Sequence, residues 1–494
     1  MSYGTTDKEA AQKVTLGCVG LLAAAVLVVA VVGLAIPQLS HPFAMILWQH
    51  WPGLILLGLT IGFGVLARFG PFPFAVIAVL LLLLWIVTGI FGEYWRYEEF
   101  LGDVAPTQLQ TEPETTGFRF LPLDVAQTTA TNKITDSTVK SGETDPVIEG
   151  NTASWISILE PNNANTSYFG GQPGDFLINT TSDVKQEKQV YDPGIGLCCF
   201  GRRVEWANVN NRYWGDYDRV YMTRLNGESV IAVPYETYHL KWHGPIPLEV
   251  RQYGGVLIYH ADGSHEDLSP SEAATKYPDG RFYPEELASY FASANQYKDG
   301  ISNAWFSHKN MPDVPHLDQT NQFPYLIPTD QGPVWYTAVE PYGASKSAYM
   351  SYYVNATTGK VQTYSFGQPL IGPDRAETYV NNAFNQLKGT SFYEPRPIVK
   401  NGNLYWMLSA SASGTPDVQF TALVDAYTGD VVRLKNESEV NRVVAGEDAH
   451  NVGEVVTASG SATDTGESTN GTTMSDAELA KALREAADRL EKAK

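Results

Sequence analysis

The chain has 494 residues, 44% of them hydrophobic, and a formal charge of −20. At about 150 residues per domain it is too long for one ordinary domain, and it is apolar enough for several cores. The charge is uneven: Lys8, Lys13 and Arg68 offset Asp7, Glu9 and Glu93 across residues 1–93. The acidity therefore lies beyond residue 93. It excludes nucleic acid, whose phosphates need a basic face, and disfavours anionic lipid for that part.

Residues 1–93 read as the membrane anchor, with the lipid bilayer as its partner. Val14–Ile36 and Phe72–Phe91 contain no charged residue, and each reaches the length of about 20 residues that a helical span needs. Phe43–Ala67 is also uncharged but carries Gln49, His50 and Pro52. It reads as a third span, or else as a re-entrant or interfacial segment. Trp48, Trp51, Tyr94, Trp95 and Tyr97 fall at the ends of these runs, where amphipathic rings settle. Val14–Ile36 is too long for a signal-peptide core and reads as a retained anchor. With three crossings, Lys8, Lys13 and Arg68 share one side. The positive-inside rule then makes this an integral membrane protein whose large domain is extracytoplasmic. With two crossings the large domain is cytoplasmic.

After a juxtamembrane linker (94–117), three stretches share one pattern, a helix followed by a meander of strands, and predict an α+β fold. The first module is 118–189, with a helical pattern at Pro122–Ile134 and then WISILEP (Trp155–Pro161). The second is 283–368, with a helix at Tyr283–Tyr297 and WYTAVEP (Trp335–Pro341). The third is 369–436, with a helix at Pro373–Lys388 and LYWMLSA (Leu404–Ala410). Trp335 precedes Asn355 by the same interval as Tyr405 precedes Asp425. A proline at the helix start, with acidic residues after it, is a start signal. The aromatic and β-branched runs suit strands. At the turns, Asn355 and Asp425 are placed to bond their own backbone, and Gly359 and Gly429 tolerate positive φ. Asn179 holds the corresponding place in the first module, where the glycine is missing.

The stretch Asp425-Ala426-Tyr427-Thr428-Gly429-Asp430-Val431 resembles the D-A-x-T-G-x-V turn of the PepSY family. Asn355–Val361 differs from it by one substitution, and Asn179–Val184 departs further. The resemblance implies modules of one helix on an antiparallel sheet, membrane-associated or secreted, that bind; some relatives restrain peptidases. It brings no catalytic residue and no cofactor.

Residues 190–282 read as a β-rich insertion without an internal copy. It includes VEWANV, hairpin signals at Asn226-Gly227 and Asp262-Gly263, and a short helix near Ser269–Lys276. Cys198 and Cys199 are adjacent and form either a vicinal disulfide or two ordinary thiols. His239 and His243 are the candidate metal ligands, but the flanks read as strand and Pro-rich loop, with no third ligand in view. His260 and His265 flank a hairpin tip, and His308, His316 and Asp318 form a loop cluster. No phosphate-binding glycine loop or nucleophile elbow is present. A specific site is expected in this insertion, since it departs from the repeat.

Residues 437–474, rich in Ser, Thr, Gly, Asp and Glu, read as a disordered tether. Residues 475–494 read as an amphipathic helix with a Ser475/Glu478 capping box and a Leu479, Leu483, Leu490 seam fit for self-association. The expected function is a membrane-anchored extracytoplasmic binding or structural protein that engages a protein or peptide partner without catalysis. The alternative is a peptidase regulator or metal-dependent enzyme with its site in residues 190–320.

Overall fold

The computed structural model describes residues 37–68, 72–163, 173–179, 184–187, 203–217, 219–244, 246–317, 319–343, 345–412 and 417–456. The Val14–Ile36 run, Cys198, Cys199, Asp318 and the helix bearing Leu479, Leu483 and Leu490 lie outside them.

Two helices, α1 (Pro37–Ala67) and α2 (Pro73–Val104), are long and apolar enough to cross a membrane. They pack as an antiparallel hairpin, with Phe63 against Phe74 near its closed end. Each is over 30 residues, hence about 46 Å long, whereas the hydrocarbon of a bilayer is about 30 Å. The excess lies at the open end, where the sequence turns polar. There Gln38 meets Asn210, Ser40 meets Tyr213, and Gln49 meets Asp216 and Tyr238. Phe100 of α2 is buried, and Tyr97 stacks on Tyr297. Much of the expected linker, residues 94–104, is therefore helix.

Beyond the helices the chain is α+β, arranged as helix-plus-meander units. The first has α3 (Leu123–Lys133) and strands β2 (Val139–Glu149), β3 (Thr152–Pro161), β4 (Asp175–Ile178) and β5 (Val184–Glu187). It is preceded by a two-residue strand, β1 (Thr107–Gln108). The second has α4 (Arg203–Asn211), β6 (Asp216–Tyr217), β7 (Tyr221–Leu225), β8 (Glu228–His243), β9 (Ile246–Tyr259) and β10 (His265–Leu268), then α5 (Pro270–Lys276). The third has α6 (Glu285–Asn295), β11 (Pro312–Asp313), β12 (Tyr325–Thr329), β13 (Gly332–Pro341), β14 (Ser347–Asn355) and β15 (Val361–Ile371), with β1 parallel to β15. The fourth has α7 (Pro373–Ala383), β16 (Thr390–Lys400), β17 (Asn403–Ala412), β18 (Val418–Asp425) and β19 (Val431–Leu434).

A shared hook ties helix to sheet in three of them. The indole N–H of Trp155 donates to the carbonyl of Leu121 at 2.8 Å, Trp335 to Tyr283 at 3.0 Å, and Trp406 to Ile371 at 2.7 Å. In each case the acceptor directly precedes the residue that caps the helix. A buried indole needs such a partner, and the carbonyl ahead of a helix is free to supply one. Pairing sets Trp155 opposite Ile178, Trp335 opposite Val354 and Trp406 opposite Val424. Trp406, not Tyr405, is thus the counterpart of Trp335; the chain from Trp406 to its partner Val424 is one residue shorter than from Trp335 to Val354, and the β17–β18 register shifts between Ala410 and Ser411.

The second unit is the same construction where the sequence showed only an insertion. VEWANV is helix, not strand, with Val204 and Asn208 buried on one face. The β9–β10 turn closes by His260 N–H to the Ser264 carbonyl at 2.9 Å, as Asn355 closes on Lys360 and Asp425 on Asp430. Ile231, opposite Tyr259, takes the place of the tryptophan. With the hook gone and the turn one residue shorter, little recognisable remained in the sequence.

The first part of the expected tether is folded, and its remainder (457–474) lies outside the described residues. Asn436 caps α8 (Glu437–Val444), whose Val440, Val443 and Val444 are buried, and α9 (Ala449–Val452) leads to β20 (Glu454–Val456), paired with β19. Three valines at helical spacing make an apolar face that a composition average conceals.

Candidate functional site where the second sheet meets the long helices

Strands β8 and β9 run past their partners toward α2. The first half of β8 is buried; from Thr237 it is partly exposed, with Leu240 and Trp242 open to solvent. Alternate residues of a strand share a face, so His239, Lys241 and His243 point one way. Glu99 and Asp103, four apart on α2, share a helical face. The two rows meet: His239 Nε2 lies 2.9 Å from Asp103, Lys241 pairs with Asp103 and lies 3.6 Å from Glu99, and His243 Nδ1 lies 3.3 Å from Glu99. His243 also stacks on Trp95 at 5.3 Å. The two histidines thus belong to a ladder of ion pairs between sheet and helix. Among the described residues no three His, Cys, Asp or Glu come together as a metal-ligand group.

Beside this ladder lies a polar cleft of about 310 Å³, bounded by α1, α2, α6 and the second sheet. Its carboxylates are Glu93, Asp216, Glu236, Glu249 and Glu286; its cations are Arg96 and Arg251, with His50 beside them. Gln49 donates to Asp216 at 2.7 Å and to the Tyr238 hydroxyl at 2.9 Å. Arg251 forks onto Glu236 at 2.6 and 2.9 Å and reaches Glu286 at 2.9 Å. Burial pushes the Glu236 carboxyl up to about 7 against the pull of Arg251. Glu249 is different. It is 3% exposed, neither oxygen accepts a hydrogen bond from another residue, and its ion pair is with Arg96 at 3.9 Å. Burial raises its carboxyl to about 7, against the weaker pull of its own backbone N–H and of Arg96. Acid outweighs base here, so the cleft suits a guest that donates hydrogen bonds or carries positive charge.

A second cleft, of about 810 Å³, lies where α7, β16 and the loop before β12 meet the start of α3. Its lining is polar: Asp124, His316, Gln319, Gln322, Asn381 and Ser391 among others. Here β16 presents an edge. The side-chain amide of Gln319 donates to the Phe392 carbonyl at 3.5 Å and accepts from the Glu394 N–H. Farther along, Thr115 covers the same edge by bonding Val399. A single side chain thus occupies the position of a neighbouring strand, and an unpaired edge is a template for an added one.

The repeat-turn residues do architectural work. Asn355 Oδ1 accepts from the N–H groups of Thr357 and Thr358 at 3.0 and 2.8 Å, and Asp425 Oδ1 from Tyr427 and Thr428 at 2.7 and 3.1 Å. Gly359 and Gly429 have φ of +76° and +84°. Asn179 accepts from the Ser154 hydroxyl. His260 lies between Glu228 and Glu266, His265 stacks on Tyr259, and His308 stacks on Tyr342. No family model, curated protein or solved structure matches the chain. Glu249 was missed because PLEVRQY matches no motif; the available signal was charge at alternate positions of an otherwise apolar strand.

Proposed function

We propose that the protein is a membrane-anchored binding protein of the cell envelope, built from PepSY-like modules, whose extracytoplasmic body engages a peptide or protein partner without chemistry of its own. The observation that carries this reading is the β16 edge, which faces a cleft large enough for an extended segment and, among the described residues, is held by the side chain of Gln319 between Phe392 and Glu394. A peptide strand added there supplies main-chain hydrogen bonds for affinity and side-chain contacts for choice. The orientation is supported by Arg68, which sits at the closed end of the helix hairpin, away from the body-facing contacts of Gln38 and Gln49. A lone basic residue at that end favours the cytoplasm for it and the outside for the body.

The test is peptide-display selection on the full-length protein in nanodiscs. Selected peptides should protect the Phe392 and Glu394 amides from hydrogen exchange and bind Gln319→Ala more tightly, since no side chain must be displaced. Backbone N-methylation should abolish binding. Equal binding of methylated peptide, or protection confined to other strands, overturns the reading.

A further inference from the structure

The polar cleft adjoins an apolar pocket. His50, Arg96 and Glu249 line both the 310 Å³ cleft and a neighbouring pocket of about 430 Å³ between α1, α2 and the β8–β9 end. Leu54, Leu57, Trp85 and Leu248 line this second space. Pro52 lies inside α1, where it has no N–H and so removes a backbone hydrogen bond. Gly89 has no side chain, and a Cβ built on it meets no atom within 4 Å.

Depth matters as much as shape. Gln49 is bonded to the body, and charge resumes on α2 at Glu93. The stretches between these points and the closed end of the hairpin match the hydrocarbon thickness of about 30 Å. Leu54, Leu57 and Trp85 thus lie at the depth of acyl chains, and the cleft above them at the depth of headgroups. Trp48, against Trp214, and Trp95, against His243, mark the boundary.

The two adjoining spaces are apolar below and acidic above, with one buried carboxylate that no other residue supplies with a hydrogen-bond donor. We infer that together they bind a membrane amphiphile: an acyl chain between α1 and α2, and a headgroup whose primary ammonium donates to Glu249 while its phosphate meets Arg96. An ammonium matches the acidic excess and supplies the N–H donors that the Glu249 oxygens lack. A quaternary ammonium has no N–H, and an anionic headgroup brings the wrong charge. This site is distinct from the β16 edge and stands or falls separately.

The experiment uses native mass spectrometry of the delipidated full-length protein in detergent. It is titrated with phosphatidylethanolamine, phosphatidylcholine and phosphatidylglycerol of identical chains. Phosphatidylethanolamine should bind at least about tenfold more tightly than the other two. Glu249→Gln, nearly isosteric, should erase that preference yet still bind lipid, and Gly89→Leu should weaken all three. Glycerophosphoethanolamine, which lacks chains, should not compete. Equal retention of the three lipids, an unchanged preference in Glu249→Gln, or competition by the chainless headgroup overturns the proposal. If Gly89→Leu fails to fold, the other arms decide.

Discussion

The second and third units share a plan yet differ in what they hold together. In the third, Trp335 fastens α6 to its sheet, and both sheet faces are committed to packing. In the second, Ile231 fills that place without a hydrogen bond to offer, and β8 and β9 run on to α1 and α2. The unit that departs most from the repeat supplies Asp216, Tyr217, Glu236, Tyr238, Glu249 and Arg251 to the junction cleft. Where the repeat is kept, side chains serve the fold; where it is broken, they are free for a site.

The strongest way to break this comparison is at the hook. Trp335→Ala removes a buried indole and leaves the Tyr283 carbonyl unpaired, and should destabilise by about 3–5 kcal/mol. Ile231→Val, at the equivalent place, should lose only about 0.5–1.5 kcal/mol. Urea unfolding in detergent, followed by tryptophan fluorescence and amide circular dichroism, gives both values. Similar losses would mean that the two units are not fastened differently.

The turns give a second contrast. Gly359 sits at φ +76°, and an added Cβ would lie 2.2 Å from Tyr283. Gly227, in the β7–β8 hairpin of the second unit, has φ +82° with open space around it. Gly359→Ala should therefore cost about 2–3 kcal/mol, strain and clash together, and Gly227→Ala about 1 kcal/mol from strain alone. Thermal unfolding midpoints of the two variants should fall in that order.

These contrasts show what could be seen in the chain itself. The apolar length of α1 and α2, the Asx turns at Asn355 and Asp425, and the helix before each hooked strand were legible because local chemistry dictates them. The second unit was not, because its identity rests on a tertiary equivalence, Ile231 for tryptophan, that no local signal records. The valine face of α8 was lost in a polar composition. The cleft is harder still: Glu93, Glu249 and Glu286 come from three elements far apart in sequence, and only packing brings them together. Alternate charges on β9 hinted at burial but not at what faced them.

The junction should also show in the pH dependence of stability. Glu249 has its carboxyl raised from 4.5 to about 7 by burial. Between those values the folded state holds more protons than the unfolded chain, so stability falls as pH rises from 4.5 toward 7 and levels off above. The size is on the order of 3 kcal/mol. Glu236, raised likewise beside Arg251, contributes in the same direction. Glu249→Gln should flatten part of the slope between pH 5 and pH 7. An unchanged slope would place the titrating group elsewhere and remove the distinction between this carboxylate and its paired neighbours.

The smallest effect is expected from the ladder beside the cleft. His239, Lys241, His243 and Asp103 are each about a third exposed, and Glu99 about a quarter. Pairs in such surroundings contribute about 0–1 kcal/mol, and salt screens them. Lys241→Met keeps the aliphatic stem and removes the charge. It should lower stability by less than about 1 kcal/mol at low salt, and the difference from wild type should vanish near 1 M salt, where the screening length is about 3 Å. A larger, salt-independent loss would mean that the ladder is part of the core rather than a solvated joint, and that the extension of β8 is held as firmly as the repeated half of the sheet.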